Sequence, residues 1–204
     1  MAGWAIVLLL LAYFVVKNVP RYFIFTPSSY GSYFWPRASW LFPHVVCGLV
    51  AVVIGPLQFW PRIRSNYLTF HRLAGRVYVA VVLVGVVASW GVAARITGAP
   101  AYAAGLACLG GAWATTTLMA FVSIRRGNVA QHRQWMVRSY VVTFAFVTFR
   151  LCDELMAAHK VLDGDERAKL LAWGCWAIPL LATEVVLQAG AVFRRSPSAR
   201  PVQS

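Results

Sequence analysis

His71 and His132 stand in matching surroundings. One lies in FHRLAGRVYV (70–79) and the other in QHRQWMVRSYVV (131–142). Each is followed directly by an arginine and leads into an apolar run, in a chain with only four histidines. Imidazole can ligate a metal or carry a proton near neutral pH. Guanidinium binds carboxylate and phosphate in a planar fork. Together they suit haem with its propionates, a quinone head group, or lipid phosphate. His44 is a third candidate: Cys47 and Gly48, at i+3 and i+4, share its helix face. Gly48 would leave room for a flat macrocycle beside the imidazole, and Gly75 repeats that spacing after His71. Each feature also has a plain reading. Arginines anchor helix ends in anionic lipid, an interfacial histidine is satisfied by a hydrogen bond, and glycine serves helix packing.

The elements that must position these residues follow from composition. Of 204 residues, 60% are apolar and 12% charged, against roughly 45–50% and about 25% in soluble domains. Mean hydropathy is +0.64. Such a chain cannot hide its apolar surface in one water-soluble core, and its natural solvent is a bilayer. The net charge of +13 resides mainly in arginines between apolar blocks. That is a topology pattern, not a soluble basic face for nucleic acid. Cys47, Cys108, Cys152 and Cys175 sit inside apolar runs without a CxxC and read as small buried side chains.

The expected fold class is all-α, an integral membrane helical bundle of about six transmembrane helices. The segments run roughly Gly3 to Val16, Trp40 to Trp60, Val77 to Ala94, Tyr102 to Ile124, Met136 to Ala157 and Leu170 to Phe193. The first lacks a basic leader and a cleavage site, so it reads as a retained anchor. The aromatic stretch from Asn18 to Arg37 is expected to lie in the outer interface. Eleven arginines, at 62, 64, 72, 76, 125, 126, 133, 138, 194, 195 and 200, fall on one side. The positive-inside bias makes that side cytoplasmic, with both termini, in a multi-pass protein of the inner (plasma) membrane. Residues 1–195 form one transmembrane domain, and 196–204 read as a disordered cytoplasmic tail.

Ionisable residues inside such segments are costly, and by default each is a functional candidate with a partner to name. Arg150, Asp153 and Glu154 have the spacing of one helical turn, so the arginine is expected to pair with either acid. Glu184 is the most isolated charge. Arg138 can reach it from the next segment, as a structural ion pair or as part of a proton or ligand site, with Gln188 one turn on. Gln58 ends the second segment at the level of the two His-Arg pairs.

The blocks GPLQF (55–59), HRLAGRVY (71–78), HRQWMVRSY (132–140) and Thr143 to Arg150, preceded by His44 and Gly48, resemble a bacterial family of predicted membrane proteins, domain of unknown function 2306. The resemblance spans about 44–150. It implies a multi-pass membrane protein and no established activity.

Two functions remain in view. One is electron transfer by a b-type haem or metal held by His71 and His132, with His44, Arg72, Arg76, Arg133 and Arg138 as further cofactor contacts and quinone as a possible partner. The other is a non-enzymatic transporter, or a protein binding lipid or anions, using the inner basic cluster and Glu184. A purely structural subunit is a third reading. A two-haem arrangement fares worse: His132 and His159 would lie ~40 Å apart along one helix, more than the ~30 Å hydrocarbon layer. No phosphate loop, HExxH or Ser/His/Asp set is present.

Overall fold

In hydrocarbon every backbone N–H and C=O must be paired within the protein, and a long unbroken apolar run achieves this by itself only as a helix. The computed structural model describes residues 2–192 and is helical throughout, with no strand among the described residues. The α-helices are α1 (Ala2–Asn18), α2 (Pro27–Phe34), α3 (Ala38–Phe59), α4 (Pro61–Asn66), α5 (Leu68–Ala93), α6 (Pro100–Arg125), α7 (Val129–Ala158) and α8 (Gly164–Val192). Phe193 and the expected polar tail, with Arg194, Arg195 and Arg200, lie outside the described residues.

Four helices are long and apolar enough to cross a membrane: Pro27–Phe59, which joins α2 to α3, then Leu68–Ala93, Pro100–Arg125 and Gly164–Gly190. Helix α1 has 17 residues and is shorter. Helix α7 has 30 residues but carries Arg133, Arg138, Arg150, Asp153 and Glu154 along its length.

Two helices start earlier than the apolar pattern indicates. Helix α5 begins at Leu68 and α7 at Val129, so both His-Arg pairs lie within helices. Hydropathy marks where lipid begins, not where the helix begins, and Arg and Gln are good helix formers. Asn128 caps α7, its side chain accepting from the Gln131 N–H at 3.0 Å.

The aromatic stretch packs against the end of the bundle through a few buried residues, while Phe23, Ile24, Phe25 and Tyr33 stay exposed. A short 3₁₀ turn at Pro20–Phe23 precedes α2. Tyr22 and Tyr30 are buried with Leu11, Phe14 and Val19 of the α1 region. The Tyr30 hydroxyl donates to the Tyr22 carbonyl at 2.7 Å. Aromatic rings separated by two proline turns can fold back on one another and cover the end of a bundle.

Side-chain contacts fix the register. Between α6 and α7 the levels match as Ala120 with His132, Thr117 with Ser139, and Trp113 with Thr143. The numbers fall along one helix as they rise along the other, so the two are antiparallel. Helices α5 and α6 are likewise antiparallel, with Gly85 against Trp113 and Gly110 against Trp90. Helices α5 and α7 therefore run parallel. Helix α3 packs antiparallel to α7 through small residues: Gly48 lies under the Phe146 ring and Gly55 under the Tyr140 ring. This is the usual way membrane helices approach closely.

A Cβ at Gly55 would run into the Tyr140 ring. That ring is held by Phe59 on one side and by a 3.2 Å hydrogen bond from its hydroxyl to the Val52 carbonyl. Gly55→Ala should destabilise the bundle by about 1–3 kcal/mol, the usual range for overpacking. Tyr140→Leu in the same chain should restore part of the loss. Thermal unfolding in detergent measures both, and an unchanged midpoint for Gly55→Ala would refute the close contact.

Candidate functional site

A chain of hydroxyls crosses the centre of the bundle. Tyr78 and Thr117 are completely buried, as is Ser139, with Thr143 nearly so. Thr143 donates to the Ser139 carbonyl at 2.8 Å, which commits its only proton. Its oxygen must then accept from Tyr78 at 2.7 Å and from the Trp113 indole N–H at 2.8 Å. Tyr78 in turn accepts from Ser139 at 2.9 Å, and Ser139 accepts from Thr117 at 2.7 Å. Every hydroxyl proton is used, as burial in an apolar interior requires.

This network sets the level of the two histidines. His71 precedes Tyr78 by seven residues on α5, and His132 precedes Ser139 by seven on α7. Two turns of helix are ~10 Å, and the helices are parallel, so the imidazoles stand at one level. His132 directs Nδ1 at the Ala120 carbonyl, 2.9 Å away. A carbonyl only accepts, so Nδ1 carries the proton and the neutral ring keeps a lone pair on Nε2. The Nδ1 of His71 is buried without a hydrogen-bond partner, and so is the Nε2 of Gln58. Gln58 belongs to the same place: a Cβ added at Gly75, one turn from His71, would meet Gln58 Oε1 at 3.3 Å.

The arginines divide. Arg72, Arg76 and Arg133, on the same two helices as the histidines, are exposed. Arg138 is buried. It holds Glu184 with Nη2 at 2.6 Å and Nε at 2.7 Å, and lies over the Trp135 ring at 4.7 Å. Gln188 donates to the other Glu184 oxygen at 2.7 Å. Glu184 is thus occupied by partners on two helices.

At the opposite end the expected pairing within α7 does not form. Asp153 pairs with Arg167 of α8 at 3.0 Å, and Glu154 with Lys17 of α1 at 2.7 Å. Tyr13 and Asn18 also donate to Glu154. Arg150 donates instead to the Tyr22 hydroxyl at 2.9 Å and has no carboxylate within ion-pair distance among the described residues. Neighbouring helices offer each acid a cation that reaches it head-on, and this prevails over helical spacing.

Gly48 lies under Phe146, whose ring is 5.4 Å from the His44 imidazole, and Trp113 stands at 6.3 Å, so the side of the imidazole towards Gly48 is shared with an aromatic ring. One further expectation is corrected here. Cys108 is exposed on the bundle surface, whereas Cys175 is buried. Helix α7 continues to Ala158 and leaves His159 exposed as its cap, remote from His44. No group of three or more His, Cys, Asp or Glu residues suited to a metal ion occurs among the described residues.

A family model described as "Predicted membrane protein (DUF2306)" matches residues 41–187. No curated protein and no solved structure matches the chain.

The Arg138–Glu184 pair joins α7 to α8 with its guanidinium buried. Removing one member leaves the other charge uncompensated. Glu184→Gln, which strands the buried guanidinium, should lower stability by about 3 kcal/mol; Arg138→Gln, which leaves a part-exposed carboxylate, should cost less, and the double variant should recover much of the loss. Unfolding of the four proteins in detergent closes the cycle. Additive losses would mean that the two residues act independently.

Proposed function

The chain belongs to the DUF2306 family of predicted membrane proteins, and within that frame we propose that it holds a b-type haem between His71 and His132 for electron transfer. One observation carries this reading. Two imidazoles stand at one level on parallel helices, and beside them the buried polar atoms His71 Nδ1 and Gln58 Nε2 lack partners. Buried polar groups without partners are uncommon and point to a missing ligand or water. The His132 ring is oriented by a helix carbonyl through Nδ1, the usual way a protein presents Nε2 to a metal.

In this reading His71 and His132 would hold the iron, and the haem would supply one-electron chemistry. The chain's own part is to fix the distance between the two rings through the Tyr78–Ser139 bond and to exclude lipid from the space between them. The charge bias of the loops supports placing this end at the cytoplasmic face of the plasma membrane. Exposed Arg72, Arg76 and Arg133 would there meet haem propionates or lipid phosphates. That exposure equally favours a second reading, binding of anionic lipid head groups at this face. Transport through Glu184 is disfavoured, because Arg138 and Gln188 already occupy that carboxylate.

The test is an absorption spectrum of the purified protein, oxidised and then reduced with dithionite, before and after incubation with haem. A Soret band that sharpens on reduction is expected. His71→Ala and His132→Ala should each abolish it, and His159→Ala should leave it unchanged. A colourless protein that takes up no added haem sinks the proposal. Binding to anionic but not neutral vesicles, lost on replacing the three exposed arginines, would then favour the lipid reading.

A further inference from the structure

A cavity of about 140 Å³ lies at the Arg150 end, enclosed by α1, the 20–34 segment and α3, α5, α6, α7 and α8. A void of similar size can take up one benzene ring. Its wall is mostly apolar and aromatic, including Phe146, Trp113 and Tyr102. Asn18, Tyr22, Ser89, Tyr102 and Thr143 also line it, and two further polar side chains have opposite capacities. His44 Nδ1 is 3.0 Å from the Gly85 carbonyl, so it carries the proton, and the neutral ring offers Nε2 as an acceptor. Nε2 has no hydrogen-bond partner among the described residues, yet is not sealed off. Arg150 is a donor whose neighbouring carboxylates are claimed by Lys17 and Arg167. It spends one N–H on Tyr22 and keeps others.

The spacing of the two groups is defined by α7. The His44 imidazole packs on Phe146, and Arg150 follows Phe146 by four residues on the same helix face, ~6 Å along the axis. An acceptor and a cationic donor at different heights in the wall of a cavity the size of one flat ring suit a ring that carries a hydroxyl on one edge and an accepting oxygen on the other. We propose that this cavity binds a para-dihydroxy aromatic ring of the quinol type. One hydroxyl donates to His44 Nε2, the other oxygen accepts from Arg150, and the ring lies against Phe146 and Trp113. The site is separate from the histidine end, and the proposal does not depend on haem being bound there.

The test uses the full chain in detergent and equilibrium dialysis of four small probes: 1,4-hydroquinone, 4-methoxyphenol, 1,4-dimethoxybenzene and benzoate. Hydroquinone should bind saturably and about tenfold more tightly than 1,4-dimethoxybenzene, which has no hydroxyl to donate to His44 Nε2. 4-Methoxyphenol keeps one hydroxyl and one accepting oxygen and should bind nearly as tightly as hydroquinone. His44→Phe should weaken hydroquinone about tenfold and leave dimethoxybenzene unchanged, whereas Arg150→Met should weaken both, since an ether oxygen also accepts from the guanidinium. Leu106→Trp, which fills the cavity, should abolish binding of both. Equal binding of hydroquinone and dimethoxybenzene, tighter binding of benzoate, absence of saturable binding, or undiminished binding to Leu106→Trp each overturns the assignment. The probe series on the unaltered protein decides the matter even if a variant fails to fold.

Discussion

The buried hydroxyl chain from Thr117 through Ser139 and Tyr78 to Thr143 is the constraint on which the other positions depend. It ties α5, α6 and α7 at one height, and each of its protons has a single possible acceptor. Hydrogen bonds between membrane helices average only about 0.6 kcal/mol in measured cases, so its effect is on register more than on total stability. Sliding any of the three helices by one turn would strand several hydroxyls in hydrocarbon, where nothing replaces the lost partner.

From that level two regions extend in opposite directions. Towards one end stand His71, His132 and Gln58, with Arg138 and Glu184 nearby on α7 and α8. Towards the other lie Trp113, His44 and Arg150 around the cavity. His132 and His44 are held by the same device: Nδ1 faces the carbonyl of a neighbouring helix, Ala120 in one case and Gly85 in the other. A helix carbonyl can accept this second bond with little loss to its own helix, and the ring is thereby locked in one tautomer and one orientation. The two regions differ in what surrounds the ring. Phe146 and Trp113 crowd His44, whereas at the other end Gln58 and His71 keep polar atoms unsatisfied.

Three carboxylates are each met by a cation from another helix: Lys17 of α1 on Glu154, Arg167 of α8 on Asp153, Arg138 of α7 on Glu184. Glu166, exposed near the start of α8, pairs instead with Lys169 of its own helix. A partner on a second helix can approach along the carboxylate axis, whereas an i+4 neighbour must bend along its own helix surface. The interhelical pairs pin α1 and α8 to α7. They also leave Arg150 as the one charged side chain of the Arg150–Glu154 cluster without a carboxylate among the described residues.

The sequence by itself determined the class of solvent and the helical architecture. Long apolar runs with arginines between them have one stable form in a bilayer, and backbone hydrogen bonding allows only helices there. It also picked out the residues worth asking about, because a lone Glu184 or a repeated His-Arg is visible without coordinates. Tertiary structure alone decided partners. Arg138 reaching Glu184 was one option among two in the sequence. Arg150 turning from Asp153 and Glu154 to Tyr22 went against the spacing, because cations on α1 and α8 compete for those acids. The cavity had no signature in the chain at all, since its wall gathers residues from Phe14 to Cys175 that no periodicity connects. The seating of Phe146 beside His44 was equally invisible. It depends on Gly48 of α3 meeting Phe146 of α7, and that meeting is set by the height at which Tyr78, Ser139 and Thr143 lock the helices together.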